Sequence, residues 1–281
     1  MGREPETSAA RQRTRPSVAV GTFDPETTVR VATFNVRSGL AYDGLDSWPF
    51  RRVAAARAIR MLGVDLVGLQ EVHGFQQRSL LRRLHGYAAV GAPRDDGRRR
   101  GERSPVFFRA THFQLESQTT RWFSDTPDVA GSAGWGNPLP RIVTLVRLRE
   151  RRGGRHFGVA NAHWDGASAT SRLRSAEALV SWLDPELPWI VTGDLNATPD
   201  DPAIAALIGG GLRDVLAPLP ARGDDVATHH QFRGTTAGTR IDYILVSPEW
   251  EILDAAVEHP RPRGRLPSDH WPVVATLALG A

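Results

Sequence analysis

The sequence predicts an α/β protein in which two mixed β-sheets pack face to face with helices on the outside. Short runs rich in Val and Ile, typical of buried strands, recur through most of the 281-residue chain. Segments with apolar residues at helical spacing alternate with these runs. The strands outnumber the helices and include a hairpin, which two packed mixed sheets explain better than one parallel sheet.

The first half of this predicted domain contains two strand–helix pairs. Residues 1–28 are polar and without hydrophobic period, so we expect a flexible arm there and a single domain over 29–281. The apolar pattern then predicts, in chain order, a strand at 29–36, a helix at 51–62 that ends at Gly63, a strand at 64–69 and a helix at 75–84.

The second half begins with a predicted hairpin, residues 141–149 and 156–162, around the glycine pair at 153–154. Asp201 and Pro202 are a helix cap and a first-turn proline, and they predict a short helix. The remaining pattern predicts a helix at 171–183 and strands at 189–192, 241–246, 250–257 and 273–279.

Composition excludes several classes of protein. With 41% hydrophobic and 23% charged residues the chain is ordinary globular protein, and no apolar run is long enough to span a bilayer. No cysteine is present, which excludes disulfides, thiolate metal sites and cysteine nucleophiles. The N-terminal segment lacks the apolar core of a signal peptide, so we expect a cytoplasmic protein.

The charge balance is a weak argument for nucleic-acid binding. Thirty-five basic residues, all arginine, exceed 31 acidic ones, and the formal net charge is only +4. The sequence pI of about 10.4 is high because a chain without lysine or cysteine, and with three tyrosines, has few groups that titrate at mildly alkaline pH.

The candidate chemistry lies at the ends of the predicted strands, where polar residues follow buried runs. If these ends meet at one rim, the protein core itself supports the side chains. The segments are Thr33-Phe34-Asn35, Gln70-Glu71, Asn161-Ala162-His163, Gly193-Asp194-Leu195-Asn196, Arg240-Ile241-Asp242 and Ser268-Asp269-His270.

These residue types suit metal-assisted hydrolysis of a phosphoester. Oxygen donors such as Glu71, Asp269 and the Asn35 carboxamide favour a hard cation, Mg²⁺ with Mn²⁺ as a substitute, which neutralises charge on a phosphoryl group. The other candidates are catalytic. We expect imidazolium donors to the phosphoryl oxygens (His163, His270), a group that orients or deprotonates water (Asp194), a transition-state donor (Asn196) and a carboxylate that orients one imidazole (Asp242).

Six short motifs give the chain a resemblance to the endonuclease/exonuclease/phosphatase superfamily, which includes DNase I, AP endonucleases, sphingomyelinases and inositol-polyphosphate phosphatases. In order they are TFNVRSG, LQEV, NAHWD, GDLNATP, RIDYILVS and SDHWPVVA. The resemblance implies a DNase I-like four-layer α/β sandwich and Mg²⁺-dependent phosphoester cleavage. It further implies that Asn35 and Glu71 lie beside the metal, that Asp242 pairs with His270, and that Asp269 belongs to a second metal position.

Within that superfamily, residues 91–108 and 122–142 resemble compact bacterial members of uncertain substrate. Three arginines fall where the family often places arginines near the phosphate, and they either contact substrate phosphate or form salt bridges within the fold: Arg109, Arg141 and Arg172. Among the tryptophans, Trp48 and Trp164 either line the pocket or pack loops. His229 and His230 line the pocket or simply occupy a long loop.

Three arginine-rich segments bear on nucleic-acid binding. Residues 147–155 form the turn that leads into the strand ending at His163, so we expect them at the opposite end of the sheet. Residues 94–103 and the arginines at 261, 263 and 265 could approach a polyanion in the site.

The sequence therefore predicts a monomeric metal-dependent phosphoester hydrolase, a phosphatase or phosphodiesterase for a small or medium-sized phosphorylated molecule. An endonuclease or exonuclease acting on DNA or RNA is the alternative, and an inactive binding protein a remote one. No membrane insertion is expected.

Overall fold

The computed structural model describes residues 28–219 and 222–280, and the predicted arm over residues 1–28 lies outside them except for Thr28. The strands of the first sheet are β1 (Thr28–Asn35), β2 (Leu66–Gln70), β3 (Tyr87–Val90), β4 (Val106–Arg109), β13 (Trp250–Val257) and β14 (Val273–Leu279). Those of the second are β5 (Phe113–Trp122), β6 (Ile142–Glu150), β7 (His156–His163), β8 (Trp189–Asp194), β9 (Arg213–Asp214) and β12 (Asp242–Val246).

Both sheets are six-stranded and mixed. The first has the order β13-β14-β1-β2-β4-β3 and the second β5-β6-β7-β8-β12-β9. The parallel pairs are β1 with β2 and β7 with β8; the other neighbours in both sheets run antiparallel. A separate two-stranded ribbon joins β10 (Arg222–Gly223) to β11 (Gly238–Thr239).

The helices cover the outer faces of the two sheets. Helices α1 (Trp48–Leu62) and α2 (Gly74–Leu81) pack on the first sheet, and α3 (Ala169–Trp182) and α4 (Pro202–Gly209) pack on the second. A third apolar cluster fills the space between the sheets. The result is the predicted four-layer α/β sandwich. No helix among the described residues is long and apolar enough to cross a membrane.

The predicted elements are confirmed with small shifts at their ends. Helix α1 begins at Trp48, three residues earlier than predicted, because Pro49 lies in its first turn, where a missing N–H costs nothing. The predicted cap of α4 is confirmed, since Asp201 Oδ1 accepts a hydrogen bond of 2.9 Å from the Ala203 N–H.

The sequence pattern missed β3 and β4, the two-residue strands β9, β10 and β11, and the longer strand β5. The first two have only four residues each, too few to establish a period. Strand β5 lies at the edge of its sheet with a run of exposed residues, and an irregularity between Leu115 and Ser117 interrupts its alternation. An edge strand of this kind has no continuous buried face that could be recognised in the sequence.

A buried polar layer joins the two sheets beneath their polar rim. Gln70 Nε2 donates to Thr33 Oγ1 (3.0 Å) and to Asn161 Oδ1 (2.7 Å), while Asn161 Nδ2 donates to the Leu69 carbonyl (2.8 Å). Thr192 Oγ1 donates to Asn161 Oδ1 as well (3.1 Å). These directional bonds fix how one sheet sits on the other, which apolar contact alone does not do.

Gly68 permits this close approach of the sheets. A Cβ at Gly68 would lie 2.1 Å from Thr192 Oγ1 and 2.6 Å from Asn161 Oδ1, closer than non-bonded atoms allow. Because the residue two positions before Gln70 is glycine, the two sheets can come close enough for their polar side chains to form hydrogen bonds just below the strand ends.

Candidate active site

The strand ends meet at one rim because of how the strands pair. In the parallel pair β7–β8, His163 lies opposite Asp194, and Asp194 lies opposite Asp242 across the antiparallel pair β8–β12. In the other sheet, Asn35 lies opposite Gln70, the residue before Glu71. Both sheets therefore deliver their polar ends to the same edge, as the motifs predicted.

Asp194 lies at the centre of this group. Its Oδ2 accepts a hydrogen bond of 2.9 Å from Asn35 Nδ2, and it lies 3.8 Å from the Nε2 atoms of both His163 and His270. Burial, followed by repulsion from Asp242, raises the pKa of Asp194 to about 7. One carboxylate oxygen thus faces both imidazoles and the carboxamide.

Glu71 occupies the next position along the rim. Its Oε1 accepts a hydrogen bond of 2.9 Å from Asn35 Nδ2, and its Oε2 accepts one of 2.6 Å from the Ser38 N–H. The backbone of Glu71 is left-handed, with φ of 60°, and Arg37 and Asn196 have φ of 56° and 49°. Such conformations are costly for residues other than glycine and cluster at functional sites.

Asn35 holds the two carboxylates together. Its Nδ2 bonds both Glu71 and Asp194, and its Oδ1 accepts the Arg37 N–H at 2.8 Å. That amide oxygen has a second lone pair, so the expectation that Asn35 belongs to the metal site stays a prediction. Asn35 remains beside the candidate metal position as the residue that fixes its ligands.

His270 and Asp242 form the predicted pair, with Nδ1 and Oδ2 2.9 Å apart and both side chains buried. Burial opposes a charge on His270, but Asp242 outweighs it and raises the pKa of His270 to about 10. The imidazolium of His270 can therefore donate from Nε2, on the side facing Asp194.

His163 has the opposite electrostatic environment. Burial, followed by the nearby Arg141 guanidinium, lowers the pKa of His163 to about 3. In the metal-free chain this electrostatic environment favours a neutral imidazole over the expected imidazolium. A neutral ring still offers one N–H and one lone pair, so it can donate to an oxygen or bind a metal.

Asn196 is fixed by its own neighbours. Its N–H donates to Asp194 Oδ1 at 3.1 Å, and its Nδ2 donates to the Trp164 carbonyl at 3.0 Å. The amide nitrogen carries a second hydrogen, which is available to a substrate oxygen.

The donor set fits a divalent cation. Glu71, His163 and Asp194 each offer one ligand atom, and these atoms lie within 4.8 Å of one another. Two carboxylates with one imidazole suit Mg²⁺ or Mn²⁺. Asp269 is outside this group: its Oδ2 lies 4.0 Å from His229 Nε2 and 3.7 Å from Arg37 Nε.

The three candidate substrate arginines are placed differently. Arg141 lies beside His163 and bonds the buried Asp165 at 3.2 Å, while its own Nε is buried without a hydrogen-bond partner. Two nitrogens of the Arg172 guanidinium contact Asp201 Oδ2, so for Arg172 the structure shows the salt-bridge alternative.

Arg109 lies away from the site, so its expected substrate contact is corrected. Arg109 is the last residue of β4, which runs antiparallel to β2, and it donates to the Val64 carbonyl just before β2 begins. It therefore lies at the opposite end of the sheet from the rim. Its guanidinium stacks over Tyr87 and approaches Asp65 at 3.7 Å.

For Trp48 and Trp164 the structure shows the packing alternative. Trp164 is fully buried in the core beneath the second sheet, edge-on to Phe123, so only its backbone serves the site. Trp48 is 4% exposed and packs in the α1 core under the Arg51 guanidinium. Neither ring lines an open pocket.

The structure places the three arginine-rich segments differently with respect to the rim. The 147–155 turn is at the far end of the β6–β7 hairpin, whose other end pairs Ile142 with His163, and this prediction is confirmed. Arg261 and Arg265 donate to the backbone carbonyls of Gly234 and Phe50. The exposed arginines of the other segment are Arg98, Arg99 and Arg100.

Some residues of the site were missed. Arg51 is buried and donates to the carbonyls of Val36, Arg37, Asp46 and Pro267, tying the loop after β1 to the segment before Asp269. Asp165 accepts from the backbone N–H groups of residues 167 and 168 and thereby shapes the loop after His163. The sequence could have revealed Asp165, because it lies two residues after His163. It gave no such signal for Arg51, which is an arginine on the buried face of a helix.

Comparisons with known proteins agree with this geometry. The model of the endonuclease/exonuclease/phosphatase family matches residues 32–270. Drosophila melanogaster Nocturnin is 23% identical over 83% of this chain and 42% of its own length. An uncharacterised mimivirus protein, L388, is 27% identical over 49% of this chain and 54% of its own. The chain thus spans about half the length of these relatives.

Two solved structures from Bacteroides thetaiotaomicron are similar over nearly the whole chain. A protein of the same family has a TM-score of 0.84 at 30% identity and covers 91% of this chain and 99% of its own. A mannosyl-6-phosphatase has a TM-score of 0.81 at 29% identity, with 89% and 100% covered. The family match, the sandwich and the residues at its rim together show that this chain belongs to the endonuclease/exonuclease/phosphatase family, whose members hydrolyse phosphoesters.

Proposed function

We propose that this protein is a Mg²⁺-dependent phosphohydrolase that acts on a small or medium-sized phosphorylated substrate, with sugar phosphates the first class to test. The observation that carries the proposal is the convergence on Asp194 Oδ2 of Asn35, His163 and His270, with Glu71 beside it. Metal ligands, a candidate base and phosphoryl donors are then within reach of one phosphorus atom.

Glu71, Asp194 and His163 would hold the cation, and Mn²⁺ would substitute because one of these ligands is an imidazole. When bound, Mg²⁺ polarises the phosphoryl group and neutralises the charge that develops on it. Asn35 keeps the two carboxylates in place whether or not a substrate is present.

The protein groups supply the remaining chemistry. Asp194 orients the attacking water and accepts its proton. His270 donates from Nε2 to a phosphoryl oxygen while Asp242 holds its Nδ1–H. Asn196 donates a further hydrogen bond to the same group, and the Nε2 proton of His270 passes to the departing oxygen as the bond from that oxygen to phosphorus breaks.

The similarity to a mannosyl-6-phosphatase supports a phosphomonoester of a sugar. The basic 147–155 turn lies at the far end of the hairpin, and Arg261 and Arg265 are bound to backbone carbonyls, so these arginines do not form a track for a polyanion. A nuclease is the second candidate, supported by Arg98–Arg100, which are exposed on a loop whose base, at Arg94, adjoins His163.

Release of inorganic phosphate from a panel of sugar phosphates, nucleotides and inositol phosphates tests the first candidate. The reactions contain Mg²⁺ or Mn²⁺, with EDTA and His270→Ala as controls. Nicking of supercoiled plasmid is measured in parallel. Metal-dependent phosphate release that His270→Ala abolishes supports the proposal, whereas plasmid nicking without phosphate release makes the protein a nuclease. Neither activity with any metal contradicts both.

A further inference from the structure

Gln76 joins the loop after β1 to the start of α2. It is fully buried, and it is the third residue of α2, where a glutamine commonly reaches back to the residue before the helix. It does so here, since its Oε1 accepts the N–H of His73 at 3.0 Å. The same oxygen also accepts the N–H of Gly39 at 2.9 Å, and its Nε2 donates to the carbonyl of Arg37 at 2.9 Å. The amide therefore binds the backbone on both sides of Ser38 in addition to capping its own helix.

Through Ser38 the same loop holds a candidate metal ligand. The Ser38 N–H donates to Glu71 Oε2 at 2.6 Å, and Asn35 Nδ2 donates to Glu71 Oε1 at 2.9 Å. Each carboxylate oxygen thus has one of these donors, which leaves further lone pairs for a cation. The Ser38 N–H and the Arg37 carbonyl belong to one planar peptide group. Gln76 is bound to that carbonyl, so it also sets the direction of the N–H.

The conformation of this loop needs support from its surroundings. The backbone of Arg37 and of Glu71 is left-handed, with φ of 56° and 60°, which residues other than glycine keep only when neighbouring groups hold them there. Arg51 Nη2 donates to the Arg37 carbonyl from α1, and Gln76 adds a donor from α2. Glycine at position 39 permits the contact, since a Cβ on Gly39 would lie 2.7 Å from Gln76 Cδ. Without the Gln76 amide, the Arg37 carbonyl keeps the Arg51 bond, but the Gly39 N–H loses its acceptor.

We propose that Gln76 is a positioning residue for the metal site and acts through the Ser38 peptide on the carboxylate of Glu71. This role rests on the proposed function, in which Glu71 is a metal ligand. Helix capping alone does not account for the amide, because capping uses only the bond to the His73 N–H. Replacing a residue that orients a metal ligand typically lowers metal affinity ~10–100-fold. We expect a loss of this size when the Gln76 amide is removed.

Mn²⁺ binding to the full chain, followed by the electron paramagnetic resonance signal of the free ion, tests this role without turnover. Gln76→Met keeps the length of the side chain but removes its three hydrogen bonds, and should weaken Mn²⁺ binding ~10-fold or more. Gly39→Ala disturbs the same contact from the other side, because its Cβ meets Gln76, and should also weaken Mn²⁺ binding. Circular dichroism shows whether each variant is folded.

Gln77→Met is the matched control. Gln77 is the next residue of α2 and its Oε1 has no hydrogen-bond partner, so Mn²⁺ affinity should stay within ~2-fold of the parent. The kinetic readout separates metal dependence from turnover. In Gln76→Met the Mg²⁺ concentration that gives half-maximal phosphate release should rise ~10-fold or more, while kcat at saturating Mg²⁺ falls less than ~3-fold. A purely structural role would lower thermal stability and leave the Mg²⁺ dependence unchanged.

Unchanged Mn²⁺ affinity in folded Gln76→Met overturns the positioning role, as does equal weakening in Gln77→Met. If Gln76→Met does not fold, Gly39→Ala decides, and unchanged affinity there overturns the role. If Gln76→Met weakens Mn²⁺ but the parent hydrolyses no phosphoester, only the proposed function fails. If the parent releases phosphate and the Gln76 variant binds Mn²⁺ as the parent does, only the positioning role fails. A parent that binds no Mn²⁺ contradicts both.

Discussion

Asp194 is expected to destabilise the metal-free protein, because the fold buries its charge next to another carboxylate. Its pKa is raised from 3.8 to about 7, by burial first and Asp242 second. The folded state therefore holds this proton more tightly than the unfolded state does. Stability falls as pH rises from about 4 to 7 and is lowest above pH 7, by ~4 kcal/mol at 1.36 kcal/mol per pKa unit.

Asp194→Asn removes this charge while keeping an oxygen for the Asn196 N–H. It loses the hydrogen bond from Asn35 Nδ2, because two amide groups then face each other, at a cost of ~1–2 kcal/mol. The net expectation at about pH 8 is a gain of ~2 kcal/mol, or roughly 4–8 °C in Tm for a chain of this size. Catalysis is lost in the same variant, since the candidate base is gone.

Thermal unfolding followed by circular dichroism in EDTA measures this gain. At about pH 5 most of the parent's Asp194 is already protonated in the folded state, so the gain should shrink by ~2–3 kcal/mol. Asp128→Asn is the matched control, because Asp128 is 73% exposed and should change stability by less than ~0.5 kcal/mol. A variant less stable than the parent at about pH 8, or an equal gain at both pH values, would refute the electrostatic reasoning.

Three further predictions concern the rim and the layer beneath it. Asn196→Ala is expected to lower kcat by ~10²–10³ with little change in KM, measured by phosphate release, because it removes a donor to the transition state; a change in KM alone would contradict this role. Arg141→Ala should lower kcat/KM at least ~10-fold and Arg152→Ala, at the far end of the hairpin, less than ~2-fold, and the reverse order would show that the 147–155 turn serves the substrate. Gly68→Ala should lower the free energy of unfolding in urea by ~1–3 kcal/mol, since its Cβ would lie 2.1 Å from Thr192 Oγ1; an unchanged midpoint would mean that the sheets separate readily.

The sequence alone was sufficient to predict the core strands and to place the candidate site residues at the ends of these strands. Strands β13 and β14 were predicted at their observed bounds because apolar residues alternate or run continuously with clear ends. Glu71, Asp194 and Asp242 were predicted because each lies at the end of a buried strand, which carries it to the rim with the core as its support. Edge strand β5 gave no such signal.

The orientation of the site side chains and the distances between them could be known only from the tertiary structure. Nothing in the sequence near Asn35 shows that its oxygen bonds the Arg37 N–H, which turns its nitrogen toward two carboxylates from different strands. A tryptophan next to a catalytic motif could line a pocket or pack a loop, and only the structure shows that Trp164, the first residue after β7, is fully buried in the core beneath the second sheet.

The difference between what the sequence determines and what only the tertiary structure decides has a simple physical origin. Periodicity, caps and turn residues are properties of neighbours along the chain, so the sequence of this protein determined its elements and placed the polar residues at their ends. Which ends meet is decided by strand pairing and by the packing of one sheet on the other, between residues far apart in sequence. That long-range packing separated Arg109 from the site, and it placed His229, 41 positions before His270 in the numbering, against the ring of His270.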